Sequence, residues 1–337
     1  MKSAAFLLML LCSSVQIIAQ STIEDFVKEG IQFHDNGEYD KAIEMYKKAL
    51  EIDPKSPLAN YEIALSCFSK GDHKLAIAYS DKVLKQKSDL MLEAYIIKGS
   101  TLDILGKTKE SIKLFEKAIQ EVGGHYLLYF NLGLNYYNTS EIDKAEENAI
   151  KAIQLNPNHP SSHFMLANIH NQKGNVVQSL LALHYFLFIE PNSNRSPAAF
   201  QMLQNNFNGN VKVDNDKPNT INILVSPGDN SEFRPAELMI SFLEASKSLE
   251  ENKGKTEDEM FVQNTASFFK ILGELKKEAH QEIWWTFYTP FFYDVANSEH
   301  LETYCKYITQ SGNENSRKWL AEHEAELINF DTWLKNK

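Results

Sequence analysis

Residues 22–56 read TIEDFVKEGIQFHDNGEYDKAIEMYKKALEIDPKS, and the fold turns on that stretch. It reads as two helices joined by a turn. Gly30 lies midway along the first helix, Gly37 at the turn, Ala42 and Ala49 along the second, and Pro54 closes it. Small residues in mid-helix let two helix axes approach to about 8–10 Å. A mid-helix Gly costs about 1 kcal/mol relative to Ala, so Gly30 marks a place where packing outweighs propensity. Gly37 supplies the left-handed conformation that ends one helix and turns the chain into the next. Asp53-Pro54 stops the second helix and starts a turn.

The same punctuation returns down the chain. Gly30 is followed in register by Ala64, Gly99, Gly133 and Ala167, at spacings of 34, 35, 34 and 34 residues. The turns keep step at Gly37, Gly71, Gly106, Ser140 and Gly174, and the second-helix small residues at Ala42, Ala76, Ser111, Ala145 and Ser179. Helix ends align at Pro54, Ser88, Gly123, Pro157 and Pro191. Large residues, among them Phe26, Tyr39, Tyr46, Tyr95 and Phe115, are expected to fill the gaps between units. A hairpin of this size cannot bury its apolar face alone, so each unit shares stability with its neighbours.

With five registers in phase over residues 22–193, the sequence resembles the tetratricopeptide repeat family. The resemblance implies a helical-hairpin solenoid whose first helices line a concave surface for a peptide or partner protein. Repeat phase places Val27, Ile31, His34, Tyr61, Leu65, Phe68, Ile96, Phe130, Leu134, Tyr137 and Phe164 on that surface. It lacks the Lys, Arg and Asn set with which some members clamp a C-terminal carboxylate. The apolar lining fits a groove for a hydrophobic segment of another protein, or one filled by the chain's own C-terminal helices.

The pattern weakens towards residue 195. In the fifth unit Phe186 replaces a small residue, and His163 and His170 take inward positions. Ser196 to Phe207 reads as a capping or junction helix, and residues 208–233 as a linker with one apolar run, Ile221 to Val225. Asp214, Asp216 and Asp229 lack the glycine and terminal Glu of a calcium loop.

Helical periodicity resumes at Arg234-Pro235 and runs through residues 234–337 as a helical module without the 34-residue punctuation. Thr256 followed by Glu257 to Glu259 reads as a capped helix start. Gln281 to Ala296 holds Trp284, Trp285, Phe287, Tyr288, Phe291, Phe292 and Tyr293, with Pro290 kinking or interrupting the helix. Further helices are expected near residues 300–310 and 316–334. The aromatic cluster reads as core, or as a surface docking on the repeats. The other reading is a ligand-binding or enzymatic pocket lined by Trp284, Trp285, Tyr288 and Tyr293.

No catalytic constellation emerges: HExxH, GxSxG, GxGxxG and a phosphate loop are absent. His163 and His170 hint at a metal only weakly, since no carboxylate falls in register with them. No cofactor or metal is expected. A net charge of −11, with Lys scattered among Asp and Glu, argues against a nucleic-acid partner.

Lys2, the apolar run Ala4 to Cys12, and Ala19-Gln20 describe a secretory signal peptide over residues 1–19, cleaved after Ala19. The rival is a lipoprotein acylated at Cys12, for which Leu11 is bulky. Cleavage leaves no integral membrane segment, and leaves Cys67 and Cys305 as buried thiols or, in an oxidising compartment, a bridge. The fold expected is all-α: an array over residues 20–207, a linker, and a helical module. The role expected is an exported, non-catalytic adaptor for a protein or peptide, periplasmic, outer-envelope associated or secreted.

Overall fold

The computed structural model describes residues 22–208, 211–213, 221–223, 232–248 and 252–337. The signal-peptide and Cys12 readings, and Asp214, Asp216 and Asp229, lie outside these residues. Helices carry the fold. A short antiparallel ribbon joins β1 (Val211–Val213) to β2 (Ile221–Ile223), with Val211 opposite Ile223.

The chain divides into two compact units within one helix, between Asn148 and Ala149. The first unit runs from α1 (22–35) through α2 (Tyr39–Ile52), α3 (Pro57–Lys70), α4 (His73–Gln86), α5 (Met91–Ile104), α6 (Thr108–Val122) and α7 (Tyr126–Asn138) into α8 (Ile142–Leu155). From α2 to α7 each helix packs on the next, and the first helices stand side by side, α3 against α5 and α5 against α7.

The small residues do what their spacing implies. Ala42, Ala64, Ala76, Ser111 and Ala145 are fully buried. At Gly30 a Cβ would stand 2.3 Å from Tyr46 Cε1, and at Gly99 2.2 Å from Phe115 Cζ. Each glycine is thus the socket for the buried ring of its own hairpin. The turns at Gly37, Gly71 and Gly106 have φ of 75°, 86° and 73°, and Ser140 takes the same conformation at 62° without being glycine. Ser111 Oγ donates to Gly99 O at 2.7 Å and accepts from Asn135 Nδ2 at 2.6 Å, which pins α7 onto α6.

The second unit holds α9 (Pro160–Lys173), α10 (Val176–Ile189), α11 (Ser196–Asn208), α12 (Arg234–Ala245), α13 (Glu257–Leu275), a π-helical turn (Trp284–Tyr288), α14 (Thr289–Ala296), α15 (Leu301–Thr309), α16 (Glu314–Glu322) and α17 (Glu324–Lys335). The serine–asparagine contact recurs here. Ser179 Oγ donates to Ala167 O at 3.0 Å and accepts from Asn206 Nδ2 at 2.9 Å, so α11 docks on α10 as α7 docks on α6. The helix expected as a cap or a junction thus packs on the fifth hairpin as a following first helix packs in the array.

The hub of this unit is α10, with the sequence VVQSLLALHYFLFI. It is apolar all round, and such a helix is stable only when covered on every side. Residues Val177 to Leu187 are buried without a break, and α9, α11, α12, α15 and the π turn surround the helix. This is why the compact unit begins before the fifth hairpin, whereas sequence punctuation groups that hairpin with the array.

Local signals hold elsewhere. Thr256 and Glu259 form a capping box at the start of α13. The interruption expected at Pro290 takes a specific form. Thr289 N–H reaches back five residues to Trp284 O, and Pro290 then sits in the first turn of α14, where a missing N–H costs nothing. The last expected helix is two, broken at His323, whose ring stacks on Trp319 at 4.1 Å.

Candidate functional site

The expected partner face consists of first-helix positions i, i+4 and i+7, which share one side of a helix. In the first unit these are Val27, Ile31 and His34 on α1; Tyr61, Leu65 and Phe68 on α3; Ile96 on α5; and Phe130, Leu134 and Tyr137 on α7. Val27 is only 4% exposed and belongs to the core with Ala42 and Tyr46, so it offers nothing to a partner. Ile31 is exposed, and the others are half-buried. Tyr61, Leu65 and Phe68 rest one edge on the core and keep the other open. His34 is tethered, its Nδ1 lying 2.7 Å from Ser66 Oγ on α3.

Polar neighbours border these side chains without neutralising their apolar character. Ser100 Oγ faces Asn131 Oδ1 at 3.4 Å, and Lys98 pairs with Asp81 at 2.6 Å. Adjacent first helices therefore present a row of partly open apolar side chains held from below by buried alanines and rings.

Phe164, in the second unit, has a different setting. It packs on Phe186 at 4.8 Å, and the Arg195 guanidinium lies over both rings while pairing with Glu190 through two hydrogen bonds. The inward histidines of the same hairpin are covered. His163 Nε2 lies 2.8 Å from Pro157 O, which only accepts, so Nε2 carries the proton. Nδ1 then accepts from the Tyr288 hydroxyl at 2.6 Å. Burial pushes the His163 pKa down to about 4, keeping the ring neutral. His170 meets Trp284 edge-on at 4.7 Å. His184 Nδ1 lies 3.0 Å from the Tyr304 hydroxyl, and burial pushes its pKa down to about 3.

These rings weld the fifth hairpin to the C-terminal helices. Among the described residues no group of three or more His, Cys, Asp and Glu is placed to hold an ion. The aromatic cluster is core as well. Trp285 is sandwiched between Phe233 at 4.6 Å and His280 at 4.5 Å, and Trp284 stacks on Tyr288 at 5.3 Å. Trp284, Trp285 and Tyr288 are buried and fill one another's space, so they do not wall an open pocket, while Tyr293 is exposed beside them. Cys67 and Cys305 are free and buried, and burial raises both thiols. Sequence reasoning passed over one signal here: α10 has no polar face, which already marks its hairpin as enclosed.

Comparison with known proteins agrees with this geometry. Residues 30–71 match the TPR repeat family, and residues 58–89, 92–121 and 126–159 match the tetratricopeptide repeat family. Across these residues the chain carries tetratricopeptide repeats. It is 23% identical over 163 residues to TPR repeat-containing protein MJ1428 of Methanocaldococcus jannaschii, covering 46% of this chain and 29% of that one. It is 27% identical over 161 residues to the anaphase-promoting complex subunit CDC16 of Saccharomyces cerevisiae, covering 46% of this chain and 19% of that one. The chain thus spans under a third of the length of these relatives. Among solved structures, TTC0263, a thermophilic TPR protein of Thermus thermophilus, is similar at a TM-score of 0.47 and 20% identity, over 54% of this chain and 99% of that one.

Proposed function

We propose that the chain is a non-catalytic adaptor that holds a polypeptide partner against the first helices of its N-terminal repeats. The observation that carries this reading is the row Ile31, Leu65, Phe68, Phe130, Leu134 and Tyr137. Leu65 and Phe68 pack on the buried core, and every side chain in the row keeps open apolar surface. A partner helix or extended segment with apolar anchors buries such surface without reordering it.

The check is a peptide-library selection with the full chain and with Leu65→Glu and Leu134→Glu. Enrichment of apolar-anchored peptides that both variants abolish is expected. Equal enrichment by the variants overturns the reading. Export belongs to the same proposal, on the strength of residues 1–19, and predicts a mature chain beginning at Gln20. No helix of the described residues is long and apolar enough to cross a membrane.

A further inference from the structure

Three helices of the first unit, α1, α2 and α3, meet in a buried polar chain below the open face. Glu62 on α3 is 9% exposed, and Tyr46 on α2 and Ser66 on α3 are fully buried. The Tyr46 hydroxyl donates to Glu62 Oε2 at 3.4 Å. Burial and the Glu62 charge raise the tyrosine pKa and keep it a phenol, while the Ser66 hydroxyl donates to its oxygen. At the far end Ser66 Oγ lies 2.7 Å from His34 Nδ1 on α1. His34 is half-buried, and its Nε2 stays accessible, with no hydrogen bond among the described residues.

The direction of this chain fixes the ring. A carboxylate only accepts, so the Tyr46 proton goes to Glu62 and the Ser66 proton to Tyr46. Ser66 Oγ then accepts from His34, whose proton sits on Nδ1. Nε2 is left as a lone pair on the side of α1 that carries Ile31.

The repeat itself does not need this chain. Glu62 stands two residues before Ala64, and the matching place in the third unit holds Ile97, buried in the core. A carboxylate where the fold accepts isoleucine carries a desolvation cost without a packing return. His34 stands where the second and fourth units carry Phe68 and Tyr137. Charge at this end of the hairpins is one-sided. Lys41 pairs with Glu38 and Lys70 with Asp40, whereas Asp35 is exposed and in no ion pair among the described residues. The Asp35 charge is felt at both Tyr46 and Glu62.

We propose that His34 and Asp35 select a partner segment carrying a lysine beside its apolar anchor. The inference rests on the reading of the first helices as a partner face and adds a polarity to it. His34 Nε2 accepts a hydrogen bond from the ammonium, and Asp35 supplies the counter-charge. Ile31, three residues before His34 and exposed, covers the aliphatic stem. A partner carboxylate would meet a lone pair and the Asp35 charge, so an acidic segment does not fit.

The test begins with the peptides that a library selection on the full chain enriches, among which lysine at a fixed spacing from the apolar anchor is expected. One such peptide is then compared, by calorimetric titration, with an analogue carrying norleucine for lysine, which keeps the stem and lacks the charge. The analogue should bind about tenfold more weakly, the loss of one charge-assisted hydrogen bond. In His34→Phe the two peptides should bind alike, while Leu65→Glu abolishes both. Ring-nitrogen spectra of the free chain at about pH 8, above the ordinary histidine range, should show His34 as the Nδ1–H tautomer. The signal is assigned by its loss in His34→Phe, and Ser66→Ala should remove the tautomer preference. Apolar peptides without a lysine preference, a preference that survives His34→Phe, or an Nε2–H tautomer overturns this inference and leaves the partner face standing. Selection of no apolar peptide overturns the partner face, and this inference with it.

Discussion

The two compact units use the same helical hairpin and treat its inward face in opposite ways. In the first, two hairpins are closed by their own ring and socket, Tyr46 over Gly30 and Phe115 over Gly99. The face above that core stays partly open at Ile31, Leu65, Phe68 and Leu134. In the second, the inward positions His163 and His170 are capped by Tyr288 and Trp284, which lie more than a hundred residues away in sequence. A repeat hairpin ceases to be a recognition element once its own chain covers it. The comparison also separates two kinds of stability: serial and nearest-neighbour in the first unit, centred on α10 in the second.

The largest expected effect lies in the second unit. Trp285→Ala empties the space between Phe233 and His280 and should cost about 3–5 kcal/mol. Hydrogen exchange should show protection lost across residues 149–337 and largely kept in the first unit. Uniform loss across both would break the comparison.

Acid should also act on the second unit. Buried His163 and His184 have pKa values pushed down to about 4 and about 3, against 6.5 for an ordinary histidine. Above pH 6.5 both states are neutral at these rings and no penalty arises. As the pH falls below 6.5 the unfolded chain takes up protons that the folded chain refuses. Stability drops progressively until the folded pKa is reached, by roughly 3 kcal/mol for His163. His184→Phe should flatten part of that slope in a series of melting temperatures against pH. An unchanged slope would mean that His184 contributes nothing to it.

Smaller effects probe the first unit. Gly99→Ala drives a methyl into the buried Phe115 ring and should destabilise by about 2 kcal/mol, read by denaturant titration. Ser140→Gly relieves a left-handed residue and should stabilise by up to about 1 kcal/mol. A destabilised Ser140→Gly would show that its backbone conformation carries no strain.

Much of this architecture was legible because its signals are local. Gly37, Gly71 and Gly106 end helices through their own backbone, Pro54 and Pro157 stop them, and Thr256 with Glu259 caps α13 within four residues. The candidate face was legible for the same reason, since i, i+4 and i+7 share a helix side whatever surrounds them. What periodicity does not report is how far a side is covered, and Val27 is the example. Its phase matches that of Tyr61, yet it lies in the core.

The amino-acid sequence by itself determined the hairpin, its 34-residue period and the apolar character of the inward face. Helix length, turn conformation and amphipathic phase are set by residues a few positions apart. Tertiary structure alone decided which inward faces remain open and that the fifth hairpin belongs with the C-terminal helices. Those outcomes depend on contacts between residues far apart in sequence, such as His163 with Tyr288 and Asp258 with Lys306, and no local pattern records such pairings.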